Sequence, residues 1–127
     1  MALGKIKVDQ LEHSTAGSVD TQYVVNGSSK QWINMDGSGT ISTRDSLNNS
    51  SLTDNGTGNY TITHTNNFSS VNYAPVIATG NTGIRAYPDL ADSGTVQAAR
   101  YGIIASNQSG TLVDARICTG HAAGDLA

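Results

Sequence analysis

Charged side chains are scarce in this sequence. Of its 127 residues only 13% are Asp, Glu, Lys or Arg, and Glu12 is the one glutamate. The Lys/Glu-coated helical surface of many soluble domains therefore has no material. Large apolar side chains are few as well: one Trp, one Phe and five Tyr accompany scattered Ile, Leu and Val. Cys118 stands alone, which excludes an intrachain disulfide, and its place after an apolar alternation reads as a buried small hydrophobe. The seven Lys and Arg are dispersed, with Lys5 and Lys7 the nearest pair, and the net charge is −3. Nucleic-acid binding needs a clustered basic footprint, so it is not expected. No apolar run approaches the ~20 residues of a membrane helix, so membrane insertion is not expected either. The start, Met1-Ala2-Leu3-Gly4-Lys5, lacks a signal-peptide apolar core, which predicts synthesis and use without Sec export.

What is abundant is Gly, Ser, Thr and Asn, together roughly two-fifths of the chain and well above ordinary usage. Gly, Asn and Ser supply turn geometry and Thr is β-branched, so the composition favours short strands between tight turns. Helical periodicity is hard to find. Period-two alternation runs through Lys5–Asp9, Asp20–Val25, Lys30–Met35, Thr40–Asp45, Ser51–Thr53 and Asn59–His64. It resumes in Tyr73–Thr79, whose Pro75 belongs at a sheet edge or a strand start, and in Arg100–Ser106 and Thr111–Cys118, which read as a final hairpin. Residues 80–99 are loop-like, with room for a short strand in Ala91–Ala99. Asn26-Gly27, Asp36-Gly37-Ser38-Gly39 and Asp54–Gly58 are turn sequences. Such signals recur about every 8–12 residues, the rhythm of a β-sandwich or barrel.

The fold predicted is all-β, a jelly-roll-like antiparallel β-sandwich of one domain. Residues 1–19 form an extended N-terminal arm or a first strand, residues 20–120 the sandwich, and 121–127 a loose tail. Trp32 and Tyr60 are the bulkiest candidates for a sparse core. A core so short of large side chains invites burial between subunits, and self-association is expected.

Chemistry is thin. His13, His64 and His121 are far apart and show no metal-ligand spacing, so no metal site is expected; His64, on the Tyr60/Ile62 face, reads as packed or hydrogen-bonded. Asp36, Asp45, Asp54 and Asp89 could in principle supply paired carboxylates, but Asp36 and Asp54 sit in turns where Asp has a structural task. Neither turn has the charge of a dedicated calcium site. No nucleophile elbow or phosphate loop is present: Gly37-Ser38-Gly39 and Gly56-Thr57-Gly58 are hairpin glycines. The Asn-x-Ser/Thr triplets at Asn26, Asn49, Asn55, Asn59, Asn67 and Asn107 arise by composition. No catalytic residue and no cofactor are expected; the chain reads as a non-enzyme.

Between Val24 and Ala78 a set of motifs stands in fixed order. They are Val25-Asn26-Gly27-Ser28-Ser29-Lys30-Gln31-Trp32-Ile33-Asn34, Gly37–Ile41, Arg44–Asn48, Ser51–Ile62 and Asn72-Tyr73-Ala74. This stretch resembles a β-domain of tail-fibre and other virion surface proteins of marine and freshwater phages. Ser29 and Gln31 stand where that family has alanines, Ile33 where it has Val, and Leu47 where it has Phe. The resemblance covers a little under half the chain and implies an all-β module that assembles as a homotrimer, with no catalytic residues to carry over. It implies a virion structural protein: capsid decoration (cement) protein, head fibre or tail knob, made in the host cytoplasm. Its partners would be further copies of itself and the major capsid protein or tail proteins. The short independent chain suits such a role. The alternatives are a carbohydrate-binding receptor module, with a host surface glycan contacted by loops after residue 80, and a hydrolase.

Overall fold

The computed structural model describes Gly4, residues 6–89 and residues 97–127. Eight strands form two antiparallel four-stranded sheets that face one another. They are β3 (Ser29–Asp36), β4 (Ser42–Leu47), β5 (Asn49–Gly56), β6 (Asn59–His64), β7 (Ala74–Thr79), β8 (Ile84–Asp89), β9 (Arg100–Asn107) and β10 (Cys118–Ala123). One sheet has the order β4-β3-β10-β7, the other β5-β6-β9-β8. Ahead of them come a hairpin, β1 (Gln10–His13) with β2 (Gly17–Asp20), and a short helix, α1 (Thr21–Gly27).

The all-β antiparallel expectation holds. The connectivity differs from that of a jelly roll, in which nearly every pair of successive strands crosses between sheets. Here β3–β4, β5–β6 and β8–β9 are each adjacent in one sheet. The β5–β6 turn closes over Thr57-Gly58, as the glycine-rich sequence suggests. The β3–β4 connection spans 37–41, longer than the two-residue turn that Asp36-Gly37 invites. Pro75 lies in β7, an edge strand, where a missing N–H costs no ladder bond on the open side.

Five local expectations need correction. Residues 80–99, read as loop-like, hold the edge strand β8 at Ile84–Asp89. Tyr23-Val24-Val25 belongs to α1 rather than a strand. Residues 6–8 carry no strand. Thr111–Ile117 is an irregular connection whose one backbone pairing with β9 is a Ser106–Leu112 bridge, so the final hairpin does not form as read. Instead the strand begins at Cys118, and residues 121–123, expected in a tail, lie in the interior strand β10 between β3 and β7. Gly120 explains the fit: a Cβ there would come within 2.8 Å of both the Ile77 side chain and the Tyr101 hydroxyl. Small residues let a strand with little apolar mass sit mid-sheet. The strand read at Ala91–Ala99 falls largely on residues 90–96, outside the described residues.

The core lies between the two sheets. Ile33, Met35, Cys118 and Ala122 from one meet Tyr60, Ile62, Tyr101, Ile103 and Ala105 from the other. Phe68, the one phenylalanine, closes one end, stacked on Tyr73 with ring centroids 4.3 Å apart. Tyr60 is buried as expected and donates to the Gly37 carbonyl at 2.8 Å. Trp32 is not in this core. Because Gln31, Ile33 and Met35 point inward, strand alternation turns Trp32, Asn34 and Asp36 to the outer face.

Candidate interaction surface

The ladder registers place Leu47, Trp32, His121 and Val76 side by side across β4, β3, β10 and β7. One step along the strands, Asp45, Asn34, Thr119 and Ala78 form a parallel row. Neighbours in such rows stand about 5 Å apart and form one continuous surface. Leu47 is 48% and Val76 54% exposed, and Trp32 is half-buried. A groove of about 470 Å³ runs here, lined chiefly by Trp32, Asn34, Val76, Ala78 and His121. The outer face of the second sheet is mixed: β5 and β6 present Ser51, Thr53 and Thr63, while β9 and β8 bring Ile104 beside Tyr87, which is 48% exposed.

A second apolar surface lies in the N-terminal segment. None of residues 6–28 is buried, although the segment carries Ile6 at 87%, Tyr23 at 65% and Val25 at 58% exposure, with Val8, Leu11, Val19 and Val24 also in water. Thr21 ties the segment together, its N–H donating to the Asp9 carbonyl at 2.9 Å and its hydroxyl to that of Val8 at 2.7 Å. Toward the sandwich it is held by Lys30, whose ammonium donates to the Val25 and Ser28 carbonyls.

The residues weighed for chemistry are dispersed. His13 lies in the N-terminal hairpin, where its Nδ1 accepts from the Ala16 N–H at 3.2 Å. His121 stands on the outer face. His64 is buried among aromatic rings, 5.1 Å from Phe68, 5.6 Å from Tyr101 and 5.8 Å from Tyr73 between centroids, with neither ring nitrogen hydrogen-bonded. That burial pulls its pKa down to about 4, so the ring is neutral at ordinary pH. Among the described residues no group of three or more His, Cys, Asp or Glu is placed to hold a metal ion. Cys118 is buried, which raises its thiol pKa to about 11.

The carboxylates serve the backbone. Asp36 Oδ1 accepts from the Ser38 hydroxyl at 2.6 Å and N–H at 3.0 Å, and Oδ2 pairs with Arg44 at 2.7 Å. The Ser38 bonds, with Arg44 adding charge, hold its pKa below the usual carboxylate value. Asp54 accepts from the Gly56 N–H, Asp45 from the Ser46 N–H, and Asp114 from the Gly58 N–H and the Tyr60 hydroxyl. Asp89 lies in β8 against Gly102, on the other sheet from Asp36 and Asp45.

Sequence reasoning missed the outer-face row because it assigned Trp32 to the core. The inward set Gln31, Ile33 and Met35 was the available signal, obscured by a glutamine on the buried side. Compared with known proteins, the chain matches no family model, no curated protein and no solved structure.

Proposed function

We propose that this chain is a non-enzymatic structural protein of a bacteriophage particle, acting as a homotrimer on the capsid or tail surface. The observation that carries the reading is the pair of apolar surfaces, one on a sheet face and one on the N-terminal segment, that a single copy leaves in water. Surfaces of this kind mark association sites. The motifs between Val24 and Ala78 supply the virion context through their resemblance to phage surface domains, and the turn-bound carboxylates supply no reacting group.

As a decoration protein it would bridge capsomers and oppose internal genome pressure. As a fibre or knob it would attach through its N-terminal arm and present the loops beyond residue 80. Quantitative protein measurement on washed phage particles tests the reading. A copy number that scales with the capsomers identifies decoration, and one that scales with tail or vertex appendages identifies a fibre or knob. Absence from the particles overturns it.

Trp32, half-exposed beside Asn34 and His121, favours a second reading as a carbohydrate-binding receptor module, since aromatic faces stack on sugars. Selective retention on a glycan array would support that alternative.

A further inference from the structure

We infer that His64 latches the connection between β6 and β7, residues 65–73, over one end of the core, and that acid releases this connection together with residues 124–127. The device goes beyond the virion reading and does not depend on it.

The connection carries no strand between His64 and Ala74, and Phe68 and Tyr73 are its two buried residues. Both are rings that meet His64 edge-on, at 5.1 Å and 5.8 Å between centroids, and they stack on each other. The connection is therefore pinned by two side chains that share one neighbour. Residues 124–127 rest on the same pair: a Cβ at Gly124 would come within 2.8 Å of the Tyr73 side chain and 3.1 Å of Phe68. Backbone bonds fasten the two stretches together. The Ser69 N–H donates to the Asp125 carbonyl at 2.7 Å and the Ala127 N–H to that of Asn67 at 2.9 Å, beside a Phe68–Leu126 bridge. Toward the sandwich, the Phe68 N–H donates to the Ala98 carbonyl at 2.9 Å and the Asn66 N–H to the Asn48 side chain at 2.6 Å.

His64 is 4% exposed and neither ring nitrogen has a partner. The neutral ring leaves one N–H without an acceptor; an imidazolium leaves two, and adds a buried charge. The titratable groups around it bring no countercharge. Tyr73 of the connection, Tyr101 of β9 and Cys118 of β10 are all neutral in acid, since burial raises their pKa values, that of Tyr73 to about 12 and that of Cys118 to about 11. Arg100 of β9 turns its guanidinium to the Gln97 side chain at 2.9 Å, and Asp125 meets the connection through its backbone carbonyl. Gln31 of β3, bonded to Tyr101, and Asn49 of β5, opposite His64 in the ladder, do not titrate. Burial alone lowers the His64 pKa, to about 4.

Water reaches a charged His64 most easily by lifting the connection. The strand that carries it is paired on both sides, to β5 and to β9, so a route through the sheet breaks two ladders. Lifting residues 65–73 breaks a handful of bonds, and local opening follows the less stable unit. The open ring titrates near 6.5 and the latched one near about 4, so opening binds a proton as pH falls through that window. The opening equilibrium should rise about a hundredfold from pH 7 to pH 4.

Amide hydrogen exchange of the full chain, read by NMR alongside the His64 ring signals, tests the latch. Protection factors of the Phe68, Ser69 and Ala127 amides should fall together by about that factor, while the paired amides of β6 and β9 keep theirs. His64→Phe keeps an aromatic ring and His64→Gln a polar side chain; neither titrates, and each should hold the three protections level over the same range. Where a variant folds poorly, the ring titration of the unaltered chain still decides. A His64 ring that takes up its proton while the three amides stay protected would show that the surrounding rings hold the cation in place, and would overturn the latch. So would the same loss in both variants, or a loss that spreads equally to β6 and β9. None of these outcomes bears on the copy number in washed particles, so the latch and the virion reading fail separately.

Discussion

Tyr101 donates its hydroxyl hydrogen to Gln31 Oε1 at 2.9 Å, joining the two sheets through the middle of the core. Gln31 is fully buried and its Nε2 has no partner, so Oε1 depends on this bond. Tyr101→Phe therefore leaves a buried acceptor unpaired and should cost about 1–3 kcal/mol in urea unfolding. Pairing it with Gln31→Leu removes the stranded amide as well. The double variant should recover most of the loss, and a double variant weaker than the single would refute the pairwise account.

His64 sets a pH dependence of stability. Its pKa is about 4 in the folded chain, while an exposed histidine titrates near 6.5. Between those values the unfolded state binds the extra proton, so stability is complete above about pH 6.5 and falls as pH drops toward about 4. The Asp36 contribution fades in the same direction but only at lower pH, through its own depressed range. His64→Phe should flatten the slope of unfolding free energy between pH 6.5 and 4 and leave the steeper loss below it.

Gly58 and Gly39 both have positive φ, +65° and +62°, yet their surroundings differ. A Cβ at Gly39 meets open space, so Gly39→Ala should cost only the left-handed strain of about 1–2 kcal/mol. A Cβ at Gly58 would lie 2.4 Å from the Ala105 carbonyl oxygen and 2.8 Å from the Val113 backbone. Gly58→Ala should therefore lower the melting temperature well beyond Gly39→Ala, and equal losses would contradict the close approach.

Trp32 is the only tryptophan, so intrinsic fluorescence reads the outer face directly. Emission should lie at shorter wavelength when copies are assembled and move red on dilution, tracking the loss of mass. Leu47→Asp should give the red-shifted spectrum at every concentration.

The strands were legible where alternation is strong. Tyr60, Ile62 and His64 share one face in the sequence and are all buried in the structure. Trp32 was misplaced because a search for bulk outweighed the alternation that turns Gln31, Ile33 and Met35 inward. Tyr23-Val24-Val25 has β-rich composition yet forms a helical turn in a segment with no ladder partner, where strand propensity has nothing to pair with. β10 was invisible for the opposite reason: Gly120, Ala122 and Ala123 carry almost no apolar signal, and their place in the sheet depends on side chains that arrive from β7 and β9.

The mass of the unaltered protein, measured by native mass spectrometry across micromolar concentrations, bears most directly on the claim that copies cover one another's apolar surfaces. The account predicts a species of three chains, each of 13.2 kDa. A single 13.2 kDa chain throughout that range, with Trp32 emission unchanged on dilution, would contradict it.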